Sequence, residues 1–167
     1  TRDNGEQEIL WVGSRPMTGA ALEANQHLKP VRFARGSLGD GLPERDMVLS
    51  PNHRVLVAND QTALYFEEPE VLVAAKYLTA LEGVSIASPR WTTYYHFMCA
   101  RHEVVLSDGA WTESFQPNDY SLQGIGNAQR LELEELFPEL DVPSSRASCQ
   151  AARRSLKRYE AELLTRR

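Results

Sequence analysis

The chain has 167 residues, the size of one ordinary domain or of a small domain with an appendage. Eighteen Lys and Arg against 23 Asp and Glu leave a formal charge of −5, which gives no global field for gripping phosphates. Hydrophobic residues at 42% and charged residues at 25% exclude a mostly disordered chain, and no apolar run nears the ~18 residues of a membrane-spanning helix.

The first residues, TRDNGEQEILWVG, lack the basic and apolar segments of a secretory signal. Asp3-Asn4-Gly5 is hairpin-turn chemistry that arrives before any strand it could turn from, so further polypeptide is expected ahead of Thr1. Short apolar runs between turn signals then predict strands at Glu8–Gly13, Val31–Ala34, Asp46–Leu49, Arg54–Val57 and Val71–Val73. Gly36 to Pro43 reads as an irregular loop, and Ala74 to Leu81 as a helical turn or two ended near Gly83. Further strands are predicted at Val84–Ile86, Trp91–Cys99, His102–Leu106 and Ala110–Phe115. Asp108-Gly109 between the last two tolerates the positive φ of a tight hairpin. Many short strands at close spacing predict a mostly β body over residues 1–117 rather than alternating βαβ units.

The composition changes after Pro117. Helix formers from Ala128 to Leu136 follow a potential N-cap, Asn127, and precede Pro138. Leu133, Leu136, Phe137 and Leu140 have helical spacing, and Ala152, Leu156, Tyr159 and Leu163 form a second stripe. Residues 118–167 are therefore expected to be a helical extension packed on the body, since short helices are marginal alone. The second helix is basic, but Glu160 and Glu162 among its cations describe a solvated face, so neither nucleic acid nor a membrane is expected as partner.

Four histidines carry the candidate chemistry. In Ser50-Pro51-Asn52-His53 a Pro-Asn turn can direct a hydroxyl and an imidazole into one pocket, where they could act on a peptide bond. The plainer reading has Ser50 capping a backbone amide and His53 merely packing. His96 and His102 are six residues apart and would share a face on an unbroken strand, although Arg101-His102-Glu103 reads better as a kink. Neither a cysteine pair nor His-x-x-x-His spacing accompanies them, so no metal and no cofactor is expected. His27 reads as a loop residue. Cys99, between Met98 and Ala100, reads as a small buried hydrophobe. Its pairing with Cys149 depends on geometry that spacing does not give.

LPERDMVLSPNHRVLV (Leu42 to Val57), VLVAAKYL (Val71 to Leu78) and TYYHFMCARHEVVLSDGAWTESF (Thr93 to Phe115) together resemble a Hint domain, the Hedgehog/intein autoprocessing family, in its bacterial variety. The opening TRDNGEQEILWVGSRP and the tail ARRSLKRYEAELL extend the likeness over nearly the whole chain. The resemblance implies a horseshoe-like all-β Hint fold with a short C-terminal helical appendage. It also implies self-cleavage by an N–S acyl shift, in which a leading cysteine attacks the preceding peptide carbonyl. The partner is then the chain's own upstream polypeptide, and export within a larger secreted protein is a family-level implication.

The family's Thr-x-x-His motif falls on Ser50 and His53, and its Asp-Arg-His-Glu segment on Ala100, Arg101, His102 and Glu103. The implied catalytic residues are thus Ser50, His53 and His102, with His96 the candidate to compensate for the aspartate that Ala100 replaces. The leading cysteine lies ahead of Thr1, so the chain as it stands is expected to be inert. Where inteins end in His-Asn, this chain has Thr112-Glu113-Ser114, and a carboxylate is a poor nucleophile for cyclisation, so cleavage rather than splicing is expected. Two competing expectations are a non-catalytic Hint-like interaction module using its C-terminal helices, and a small β-barrel hydrolase using Ser50 and His53 in trans, which lacks an evident orienting carboxylate beyond Asp46 and a recognisable oxyanion-hole sequence.

Overall fold

The computed structural model describes residues 1–115, 131–132, 134–136 and 151–165. Ten strands lie in three sheets among them. Strand β1 (Ile9–Thr18) pairs antiparallel with β7 (Trp91–Cys99) as a two-stranded ribbon, Gly13 opposite His96 and Pro16 opposite Thr93. The ribbon runs on past the predicted end at Gly13, because a strand with a free edge tolerates Pro16, which lacks an N–H. Strands β2 (Val31–Phe33), β3 (Met47–Leu49) and β6 (Val84–Ile86) form a three-stranded sheet in the order β3-β2-β6. The five-stranded sheet joins β4 (Arg54–Val57), β5 (Val71–Ala74), β8 (Val104–Ser107), β9 (Ala110–Glu113) and β10 (Arg154–Ser155) in the order β10-β5-β4-β9-β8.

Sequence pattern explains the burial. Val31-Arg32-Phe33 alternates in and out as a half-buried strand should, whereas Val71-Leu72-Val73-Ala74 is apolar throughout and buried throughout. One core gathers Phe33, Val55, Val73 and Leu78, among others, between the larger sheets; a second gathers Leu22, Leu28, Tyr94, Phe115 and Leu136 beside the ribbon. The β8–β9 hairpin turns on Asp108 at φ 50° and Gly109 at φ 79°, the two positive values that Asp-Gly predicts.

Two short helices escape the apolar pattern. Helix α1 (Gly19–Ala24) is capped by the Thr18 hydroxyl, which accepts from the Ala21 N–H, and buries only Leu22. Helix α2 (Asp60–Phe66) has a reciprocal capping box between Asn59 and Thr62 and buries only Thr62 and Phe66. Each is too short to show a periodic stripe; their signal is the cap.

The tail departs from the predicted second helix. Arg154 and Ser155 instead pair in parallel with Val71 and Leu72, and the Leu156 N–H donates to the Leu72 carbonyl at 2.9 Å. Helix α3 (Arg158–Thr165) starts only afterwards, buries Ala161 and packs a half-buried Leu164 against the larger core, and leaves Tyr159 62% exposed. The physical reason is the edge of β5, whose backbone groups need partners that a strand supplies and a helix does not. Of the first predicted helix, residues 131, 132 and 134–136 are helical and Leu136 is buried. Asn127, Leu133, Phe137, Pro138, Leu140 and Cys149 lie outside the described residues. No helix among the described residues is long and apolar enough to cross a membrane.

Candidate active site

Ser50 and His53 stand on the turn between β3 and β4. The His53 N–H donates to the Ser50 carbonyl at 3.1 Å, which closes the turn. The following 3₁₀ turn at Ala75–Tyr77 clamps it from behind: Ala75 N–H donates to the His53 carbonyl at 2.9 Å and Lys76 N–H to the Pro51 carbonyl at 3.0 Å. The fixed backbone of Pro51 and three backbone bonds in and around the turn make it a rigid mount for two side chains.

Both side chains line a cavity of about 350 Å³ whose other walls come from β3, β7, β8 and β9, including Leu49, Thr93, His96, Leu106 and Thr112. The His53 and His96 rings lie 6.1 Å apart between centroids, tilted by 51°. The Ser50 hydroxyl and His53 Nε2 are buried there and make no hydrogen bond. Burial, opposed by the Glu113 carboxylate, pushes His53 below the usual histidine range, and Arg54 and His102 push it further. Burial, helped by His53 and opposed by Glu113, takes His96 down to about 3. At neutral pH both rings are therefore uncharged bases rather than acids.

Below the cavity lies a fully buried ion hub. The Glu113 carboxylate accepts from the Arg54 backbone N–H at 2.9 Å, the Arg54 guanidinium at 3.1 Å and His102 Nε2 at 2.9 Å. Burial would raise this carboxyl, but Arg54 and the His102 hydrogen bond overcome it and hold Glu113 at about 2. Nδ1 of His102 accepts from the Ala152 N–H at 3.1 Å, so both of its ring nitrogens are engaged. The structure thus gathers Ser50, His53 and His96 around one cavity and keeps His102 outside its lining, as the post joining the tail to Glu113. The Arg101–Glu103 kink is real: β7 stops at Cys99 and β8 starts at Val104.

Other candidates sit elsewhere. Ala100, at the position of the family's aspartate, is exposed and supplies no acid. The Asp46 carboxylate is held by the Arg32 guanidinium and the Arg35 N–H, so it is engaged away from Ser50 and His53. Cys99 is buried, with its thiol pushed up by burial and by Glu103. His27 pairs with Glu135 at 2.9 Å. Among the described residues no three His, Cys, Asp or Glu side chains converge as a metal would need.

Sequence reasoning missed two contributors. Arg54 carries a signal in hindsight, a cation opening an apolar strand. Glu132 carries none: it sits among helix formers, yet its Oε2 accepts from the Asn52 backbone N–H at 3.2 Å and from Asn52 Nδ2 at 2.8 Å.

Fold and cavity together define a mostly β domain with a recessed histidine pair beside a buried hydroxyl. A family model for the Hint domain matches residues 1–119, and the chain belongs to that family. No curated protein and no solved structure was found to match it.

Proposed function

We propose that this chain is the body of a Hint-type autoprocessing domain that cleaves a peptide bond in its own upstream polypeptide. The carrying observation is the cavity of about 350 Å³ into which an unpartnered His53 Nε2 and an unpartnered Ser50 hydroxyl are both built, beside His96. Leaving such buried polar atoms unsatisfied costs about 1–3 kcal/mol each, a cost that a bound peptide would remove.

In the first step the sulfur of an upstream cysteine attacks the preceding carbonyl carbon, forming a C–S bond. The Ser50 O–H donates to the carbonyl oxygen as negative charge develops there. His53, uncharged, accepts the thiol proton and delivers it to the departing nitrogen as the C–N bond breaks, leaving a thioester and a free amine. Water or a thiol then attacks the thioester and releases the upstream segment. The start of the chain is tied near β8: the Arg2 N–H donates to the Val104 carbonyl at 2.9 Å, and the following Val105, Leu106 and Ser107 line the cavity.

The buried positions of Leu156 and Ala161 commit the tail to the body and weigh against its use as a free partner-binding arm. The test is a fusion in which a reporter and a cysteine-initiated segment precede Thr1, followed by gel electrophoresis after adding dithiothreitol. Thiol-dependent release is expected, and His53→Ala should slow it by about 10²–10⁴-fold. Release that ignores His53→Ala, or no release at all, overturns the proposal.

A further inference from the structure

The Asp3-Asn4-Gly5 turn that the sequence places ahead of any strand closes on itself, with Gly5 at φ 66° and the Thr1 hydroxyl donating to the Gly5 carbonyl at 2.9 Å. Body and tail both hold it. The Arg2 N–H donates to the Val104 carbonyl at 2.9 Å, and Asn4 Nδ2 donates to both oxygens of the buried Glu103 at 3.0 Å. The Arg2 guanidinium lies 4.9 Å from the centre of the Trp111 ring and pairs with Glu70 Oε1. The remaining hold comes from the far end of the chain. Arg153 donates from its two terminal nitrogens to the two Asp3 oxygens, at 2.8 and 3.0 Å, and from Nε to Glu70 Oε2 at 2.7 Å.

One guanidinium thus bridges the first turn to Glu70, whose other oxygen takes Arg2. Its own backbone is fixed on both sides: the Ala152 N–H donates to His102 Nδ1 at 3.1 Å, and Arg154 pairs with Val71. Arg153 lies outside the residues matched by the family model. A planar guanidinium can hold one carboxylate with two parallel bonds and still reach a second, which an ammonium cannot copy. The turn it grips is bonded to Val104, and the next three residues of that strand line the cavity of about 350 Å³. Holding a reacting segment in one orientation removes much of the entropic part of a barrier. We infer that Arg153 is a positioning residue for the self-cleavage: by bridging Asp3 and Glu70 it fixes the turn at residues 1–5, and so sets the direction from which the polypeptide ahead of Thr1 reaches the Ser50–His53 cavity. This inference rests on the autoprocessing reading above.

The plainer role for such a pair is to pin the tail, but the tail has anchors of its own. The Leu156 N–H donates to the Leu72 carbonyl at 2.9 Å, and Leu156 and Ala161 are buried in the larger core. The side chains of Arg153 and Asp3 are 24% and 39% exposed, and ion pairs that open add little to folding. Removing the bridge should therefore free the first turn and leave both the tail and the body in place.

The test uses the same fusion and compares wild type with Arg153→Gln, Asp3→Asn and the double variant, alongside urea unfolding of each. Arg153→Gln should slow thiol-dependent release about tenfold or more without moving the unfolding midpoint. Asp3→Asn keeps the turn chemistry, removes the charge and should slow release in the same direction. Because both changes break one bridge, the double variant should be no slower than Arg153→Gln alone. Arg153→Lys keeps the charge without the fork and should fall between wild type and Arg153→Gln. Release at the wild-type rate in Arg153→Gln, slowing that comes with an equal loss of stability, or effects of the two substitutions that multiply would each overturn the inference.

His53→Ala in the same series separates the two claims. If it abolishes release while Arg153→Gln cleaves like wild type, only the role of Arg153 falls; if it changes nothing, both fall. An independent reading needs no cleavage. In amide hydrogen exchange followed by NMR, Arg153→Gln should speed exchange of the Arg2 N–H about tenfold or more and leave that of the Leu156 N–H unchanged. Unchanged exchange at Arg2 refutes the inference, and so does faster exchange at both amides, which would make Arg153 a pin for the tail.

Discussion

Replacing Glu113 with glutamine tests the ion hub beneath the site. The substitution keeps the shape and removes the charge, so Arg54, itself 3% exposed, loses its buried ion pair with Glu113. The carboxyl titrates at about 2 in the folded protein against an ordinary 4.5. At about 1.4 kcal/mol per pH unit, that lowering corresponds to about 3 kcal/mol of stability. The sign follows from the direction: a depressed carboxyl contributes fully above about pH 4.5 and loses its contribution as the pH falls toward 2. About 3 kcal/mol also agrees with the ~3–5 kcal/mol typical of breaking one side of a buried pair.

Urea unfolding of both proteins at pH 7, 5 and 3 should therefore show wild type ahead by about 3 kcal/mol at pH 7 and pH 5, with about half the gap gone at pH 3. In a chain of this length that gap moves the melting temperature by about 6–12 °C. A gap below about 1 kcal/mol at pH 7, or one that stays constant down to pH 3, would refute the assignment of Glu113 as a buried anion.

Two further substitutions test how the body is closed. Gly109→Ala adds a Cβ 2.7 Å from the Glu44 Cγ at a residue whose φ is +79°, and chemical denaturation should find it less stable by about 1–2 kcal/mol. Equal stability would mean the hairpin turn rearranges freely. Leu156→Ala removes a side chain 2% exposed in the larger core, beside β10, and should cost about 2–5 kcal/mol in the same measurement. A loss under about 1 kcal/mol would mean that the tail only lies on the surface.

The strands were legible because each is a short apolar run between strong turn signals, and nine of the ten fall where those runs predict. The tenth, Arg154–Ser155, was not legible: two residues carry no period, and only the open edge of β5 makes them a strand. The same limit applies to the site. Ser50 and His53 are three residues apart, so local turn chemistry brings them together and the sequence shows it. His96 arrives from the ribbon and Glu132 from 80 residues beyond Asn52, and no local rule links them to the turn. His102 is the opposite case: its sequence neighbours match a family motif, while the partners of its two ring nitrogens, Glu113 and Ala152, lie 11 and 50 residues away.

The hub and the cavity belong to one electrostatic design. On the proposed mechanism His53 must be uncharged before it can take a thiol proton. A lone buried carboxylate at Glu113 would work against this, since it draws protons toward both His53 and His96. Arg54 pairs with that carboxylate and itself disfavours a charged His53, and burial is the dominant influence on both rings. Arg54 is adjacent in sequence to His53, and its strand carries the pair into the sheet. One turn therefore delivers the base and a cation that helps burial keep it neutral. A neutral methionine at position 54 would fill the same space yet remove both the ion pair to Glu113 and the cation that opposes a charged His53, so that imidazole would hold a proton it needs to exchange.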